Sequence, residues 1–183
     1  FKDNDKVLTR IANAISSQEK VLIWGDFDTD GVTSTAILFK TLKAIGCNID
    51  KYIPNRDSEN HGMNTKALVK FIAKEKVKLI ITVDCGISNL EEVKFAKTFK
   101  TDVIITDHHE APEILPEAFA IINPKAKNSL IEDLSATDIE SLCNLSGAGI
   151  AFKLASELLK KYDKNDLYEE ILAIAAIGTV GDI

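Results

Sequence analysis

Three observations predict an α/β fold, a mostly parallel sheet with helices on both faces. Short apolar runs alternate with helix-spaced apolar stripes along most of the 183 residues, the pattern of successive βαβ units. Three of those runs lead into aspartate, as Trp24-Gly25-Asp26, Val83-Asp84 and Thr106-Asp107. Parallel strands point their carboxyl ends the same way. These acids therefore converge on one rim, where open α/β sheets place ligands.

Each element has its own signal. Residues 4–17 predict a leading helix, with Val7, Leu8, Ile11, Ala12 and Ile15 on one stripe. Residues 20–24 predict a strand, and 32–45 a helix stopped by Gly46. A second strand is expected over 49–53. A helix follows over 64–75, with Asn64 as its N-cap. Lys78 to Val83 predicts a strand, Asn89 to Phe99 a helix, Val103 to Thr106 a strand and Ala120 to Ile122 a short one. The polar stretch 125–146 reads as an irregular, mobile loop or insertion. Helices over 149–161 and 166–177 finish the chain, with no internal repeat.

Composition narrows the function classes. Hydrophobic residues make up 45% of the chain, enough for a core, and no apolar run approaches the ~18 residues of a membrane span. The polar start Phe1-Lys2-Asp3-Asn4-Asp5 shows no signal peptide. Cys47, Cys85 and Cys143 are odd in number and far apart. They support neither a disulfide framework nor a zinc knuckle, and a reducing, cytoplasmic setting is expected. The net charge of −6 argues at first against a polyanionic partner. Yet Asp26, Asp28, Asp30, Asp84, Asp107 and Asp182 together account for all of it. Divalent cations bound among them would make the rim attractive to phosphate.

The densest signal is Gly25-Asp26-Phe27-Asp28-Thr29-Asp30-Gly31. Three carboxylates at one point repel each other unless a cation lies between them, which argues for a hard divalent metal on oxygen ligands. Asp107 is followed by His108-His109, and imidazole with carboxylate suits Mn²⁺ better than Ca²⁺. Asp182 follows the small-residue run Gly178-Thr179-Val180-Gly181, which allows close backbone approach. Four distant segments thus offer metal-type ligands.

Those residues carry a resemblance to the DHH phosphoesterase superfamily, and within it to the RecJ-type single-strand-specific exonucleases. Asp26-Phe27-Asp28-Thr29-Asp30-Gly31 resembles the first motif, Pro54-Asn55-Arg56 with Glu59 the second, and Asp84-Cys85-Gly86 the third. Asp107-His108-His109 resembles the motif that names the superfamily, and Gly178-Thr179-Val180-Gly181-Asp182 the last core motif. The segment from Ser146-Gly147-Ala148-Gly149 to Leu154 resembles a RecJ-type stretch. Where the second motif usually continues Glu-Gly-Tyr-Gly-Leu, this chain reads Glu59-Asn60-His61-Gly62-Met63.

The resemblance implies a metal-dependent phosphodiesterase that hydrolyses single-stranded DNA from the 5′ end in repair and recombination, with two divalent cations, Mn²⁺ or Mg²⁺. It implies that 1–183 is a DHH catalytic core, with a DHHA1 domain and an oligonucleotide-binding domain outside it, and that the core alone has weak or no activity. Single-strand-binding protein and a helicase are expected partners of the whole protein. One cation would be held by Asp26, Asp28 and Asp84, the other by Asp30, Asp84, His108 and Asp182. His109 would face the scissile phosphate with Asp107 orienting an imidazole. Asn55, Arg56 and the amides of Gly147 and Gly149 would bind substrate phosphate.

Plainer readings stand beside these. The first acidic run could be a helix-capping turn, Asp84 a cap for the helix behind it, and His108 and His109 solvated loop residues. His61 reads as a surface residue of its loop, Trp24 as core, Cys85 as a small buried residue, and Lys74, Lys76 and Lys78 as solvated surface. Arg56 is one of two arginines beside 20 lysines, which favours a fork-type phosphate contact. Two other functions fit the same residues. One is a DHH phosphoesterase acting on oligoribonucleotides, cyclic dinucleotides or pyrophosphate; the other is a scaffold that binds nucleic acid without turnover.

Overall fold

A computed structural model describes residues 1–182. Five strands form one all-parallel sheet: β1 (Val21–Trp24), β2 (Ile49–Tyr52), β3 (Leu79–Val83), β4 (Asp102–Thr106) and β5 (Ala120–Ile122), in the spatial order β2-β1-β3-β4-β5. The helices are α1 (Asn4–Ser16), α2 (Thr29–Ala44), α3 (Thr65–Val69, continued by a π turn over Lys70–Lys74), α4 (Leu90–Thr98), α5 (Ala136–Cys143), α6 (Gly147–Lys161) and α7 (Tyr168–Gly181). The expected fold class is the one observed.

The step from β1 to β2 runs one way along the sheet and the step from β2 to β3 runs the other. Right-handed crossovers therefore put α2 and α3 on opposite faces, and the junction of β1 and β3 is the topological switch point. Strand alternation supplies a core to each face. Val21, Ile23, Leu79 and Ile81 pack under α1, α2, α6 and α7. Leu22, Trp24, Ile80 and Ile105 pack under α3 and α4. No helix among the described residues is long and apolar enough to cross a membrane.

Three expectations are corrected. Helix α2 begins at Thr29 rather than at 32, because Asp28 caps it by accepting a hydrogen bond from the Gly31 amide. The stretch 125–146 contains α5, opened by a capping box between Ser135 and Asp138. None of its eight residues is buried, and its apolar positions, Ile139, Leu142 and Cys143, are too few to announce it against the polar stretch around them. The last helix continues to Gly181, so the small-residue run lies inside α7 and Asp182 caps its end. The close approach expected there is real: a Cβ on Gly178 would lie 2.3 Å from Thr33 Oγ1 and 2.4 Å from Ala148 Cβ. The Asn64 N-cap holds, its side chain accepting from the Ala67 amide at 2.8 Å.

Candidate metal centre

The candidate residues meet at the carboxyl edge of the sheet, beside the switch point. Asp26 and Asp28 lie between β1 and α2, and Asp30 in the first turn of α2. Asp84 follows β3, Asp107 to His109 follow β4, and Asp182 ends α7. His108 stands among three carboxylates. Its Nε2 lies 3.1 Å from Asp84 Oδ1 and 3.5 Å from Asp30 Oδ2, and its Nδ1 lies 3.8 Å from Asp182 Oδ2. Two groups could each hold an ion, with ligand atoms all within 4.8 Å of one another: Asp84, His108 and His109, and Asp30, His108 and Asp182.

The backbone is shaped to this end. Asp84 adopts a left-handed conformation, φ 56°, uncommon outside glycine and found where a site stores strain. Its Oδ1 is buried and accepts no aligned hydrogen bond, although His108 Nε2 is within reach. A carboxylate oxygen left this way is costly unless a cation completes it. Burial pushes the Asp84 carboxyl up to about 7, with the charges of Asp30 and Asp28 adding to the rise and His108 opposing it. Burial likewise raises Asp30, against the hydrogen bonds of Ala148 and Gly147 that lower it. Acids pushed toward neutrality by burial and mutual repulsion, around one imidazole, form a donor set that fits a divalent metal.

Asp107 is the opposite case. Its Oδ1 accepts from the His108 amide at 2.8 Å, the His109 amide at 3.1 Å and His109 Nδ1 at 2.7 Å; its Oδ2 accepts from the Ile87 amide at 2.9 Å. Burial pushes its carboxyl up, but the bonds from His109 and Ile87 outweigh that and hold it below the usual range. The same bond raises the His109 imidazole to about 9. Asp107 thus braces the His108-His109 loop and favours the cationic form of His109.

The opening turn of α6 departs from expectation. The Gly147 and Ala148 amides donate to the two oxygens of Asp30, and the Gly149 amide donates to Ser146 Oγ at 3.2 Å. Gly147 and Gly149 therefore present no free amide to a phosphate; the turn fixes a carboxylate of the site. A Cβ on Gly147 would stand 2.7 Å from Asp84 Oδ1, so this helix approaches the acids only through glycine. Asn55 serves its turn: its Oδ1 accepts from the Asp57 amide and its backbone amide donates to Glu59, while its Nδ2 stays available to a phosphate. Arg56 remains available, its guanidinium 5.7 Å from the centre of the Phe27 ring.

Asp28, whose Oδ1 caps α2, is in neither three-residue group. Asp26 is buried, and its Oδ2 lies 2.8 Å from His61 Nδ1. His61, expected to be a plain surface residue, is therefore a neighbour of the acidic cluster. Its ring packs 4.2 Å from that of Phe27. The loop behind it is pinned by Trp24 Nε1, which donates to the Gly62 carbonyl at 3.1 Å. The available signal was positional: His61 occupies the aromatic position of the second motif.

These features make an α/β domain with a candidate metal centre at the sheet's carboxyl edge. The profile of the DHH family, N-terminal domain, matches residues 20–179, and the chain belongs to that family. Within it, the chain is similar to the single-stranded-DNA-specific exonuclease RecJ of Bacillus subtilis, 44% identical over 183 residues, which is all of this chain and 21% of that protein. RecJ of Haemophilus influenzae is 33% identical, matching 98% of this chain and 31% of its own length. Among solved structures, exonuclease RecJ bound to manganese superposes with a TM-score of 0.81 at 30% identity, covering 98% of this chain and 43% of that one. The chain thus spans under a third of the length of these two sequence relatives.

Proposed function

We propose that this chain is the catalytic core of a metal-dependent exonuclease that hydrolyses single-stranded DNA from the 5′ end. The observation that carries the reading is the buried Asp84 Oδ1, without an aligned hydrogen bond beside His108 at the sheet edge. Similarity to RecJ proteins, one of them crystallised with manganese, supplies the substrate class and favours Mn²⁺, with Mg²⁺ as the alternative. We assign Asp30, Asp84, His108 and Asp182 to one cation, and Asp26, Asp28 and a shared Asp84 to a second. Bound divalent cations would polarise the phosphodiester and lower the pKa of an attacking water.

The chain's own residues do the rest. Asp107 holds His109 through Nδ1, leaving Nε2 as the donor for a phosphate oxygen. Arg56 offers a planar fork to a neighbouring phosphate. The turn at Gly147-Ala148 keeps Asp30 from rotating out of the cluster. Action in the cytoplasm, alongside single-strand-binding protein and a helicase, belongs to the same proposal.

The test compares the full-length parent protein with its Asp84→Ala variant on 5′-blocked and 3′-blocked single strands in Mn²⁺. The expected result is digestion of the 3′-blocked strand alone, reduced at least 10³-fold by the substitution, on the order of a lost charge-stabilising group. Equal digestion by both proteins would remove the catalytic claim. Digestion only from the 3′ end would remove the polarity.

A further inference from the structure

We propose that the groove along α3 is the track for the single strand beyond the nucleotide being cleaved. The inference rests on the nuclease reading and adds where the rest of the substrate lies. A groove of about 870 Å³ runs beside α3 and its π turn, lined on that side by Lys66, Lys70 and Lys74. His61 lines both this groove and the smaller cleft that holds Asp26, Asp84, Asp107 and His109. The two spaces therefore meet at His61 and Asn89, and a strand leaving the acidic cleft enters the lysine groove.

The lysine spacing suits a polyanion. Residues four apart on a helix are about 6 Å apart along its axis, a step that successive phosphates of an extended single strand can follow. In a continuous α-helix such a row drifts, because four residues overshoot one turn by about 40°. Here the π turn intervenes, closed by the Glu75 amide on the Lys70 carbonyl. Its wider turn makes the step from Lys70 to Lys74 fall short of a full rotation and cancels the drift. π turns of this kind recur at functional positions.

The acids facing the groove are already engaged. Glu59 accepts from the Tyr52 hydroxyl, the Asn55 amide and Asn64 Nδ2, and Glu92 accepts from Asn89 Nδ2. Among the described residues Lys66 and Lys74 have no ion-pair partner, and Lys70 has only Glu75 at 3.9 Å. Three exposed ammonium groups in a row, on a chain of net charge −6, are a local exception that matches a phosphate backbone. The lysines grip the backbone rather than the bases, so their contribution is indifferent to sequence.

The experiment measures binding of a fluorescent 20-nucleotide oligothymidylate by anisotropy across a salt series, and hydrolysis of a 5′-phosphorylated thymidine dinucleotide. The triple substitution Lys66→Glu, Lys70→Glu, Lys74→Glu is compared with Lys160→Glu, Lys161→Glu, Lys164→Glu on the opposite face of the sheet. The groove variant should bind the 20-mer at least tenfold more weakly. Its plot of log affinity against log salt should be shallower by about 2, the value for three lost single-strand phosphate contacts. Dinucleotide turnover should stay within twofold, and the opposite-face variant should bind normally. An unchanged salt slope, or an equal loss in both variants, would overturn the track. The hydrolysis arm is run in the full-length parent and its variants; if none of these hydrolyses the dinucleotide, the nuclease reading fails while the binding arm still decides the groove.

Discussion

The ends of β3 and β4 carry the same residue in the same position on adjacent strands, and their electrostatics are opposite. Asp84 is buried, strained in φ, without an aligned hydrogen bond on one oxygen and pushed up to about 7. Asp107 is equally buried, accepts four hydrogen bonds and lies below the usual carboxylate range. Burial acts on both; what differs is who answers it. Backbone amides and a histidine complete Asp107, which makes it a strut. Asp84 Oδ1 has the His108 imidazole beside it but no aligned hydrogen bond, which leaves it for a cation.

The comparison breaks most sharply at Asp107. Asp107→Ala removes the acceptor of four bonds at once, strands the buried Ile87 amide and frees the half-exposed His109. A loss of about 3–5 kcal/mol in unfolding free energy is expected, the scale for breaking a buried charged partner. Urea unfolding reads it directly, with Mn²⁺ unable to restore the loss. A change under about 1 kcal/mol would mean that Asp107 is no strut.

Asp84 should respond with the opposite sign. Asp84→Asn keeps the shape and removes a charge that burial and two neighbouring acids disfavour. Without metal, the variant should be more stable than the parent by on the order of 2 kcal/mol. The parent should gain about 2.7 kcal/mol from Mn²⁺ at a hundred times its dissociation constant, and the variant almost none. Melting curves with EDTA and with Mn²⁺ measure both effects. A variant less stable than the parent in EDTA would show that Asp84 already has its partner.

The sequence made the strand ends legible because the rule behind them is short-range: an apolar run, then an acid, at the carboxyl end of a parallel strand. Trp24, Val83 and Thr106 each stop where that rule puts them. It could not separate Asp84 from Asp107, since the distinction lies in amides contributed by Ile87 and His109 and in one backbone angle. Nor could it apportion the first motif. Asp28 and Asp30 are two residues apart, yet one caps α2 and the other is gripped by the start of α6, more than a hundred residues away in sequence. Glycines 147 and 149 looked like a phosphate cradle because a helix N-terminus binds any anion, and here the anion is a side chain of the same protein. Helix α5 left only a faint trace, the Ser135–Asp138 cap and a short apolar spacing, because none of its residues is fully buried.

The smallest effect on stability, and the sharpest on the site, is expected at His61. Its side chain is 68% exposed, so His61→Ala should change unfolding free energy by no more than about 0.5 kcal/mol. The ring nevertheless holds Asp26 Oδ2 at 2.8 Å and lies against Phe27, which in turn lies beside Arg56. Removing it leaves Asp26 as Asp84 is now, with an oxygen that no protein group completes. Mn²⁺ affinity should then shift while the fold does not, and His61→Gln, which retains a donor, should recover part of the shift. Calorimetric titration of Mn²⁺ into both variants distinguishes the cases. Equal affinity in parent, alanine and glutamine proteins would mean that Asp26 is held by Phe27's amide alone, and that the contrast between completed and uncompleted carboxylates ends at β3.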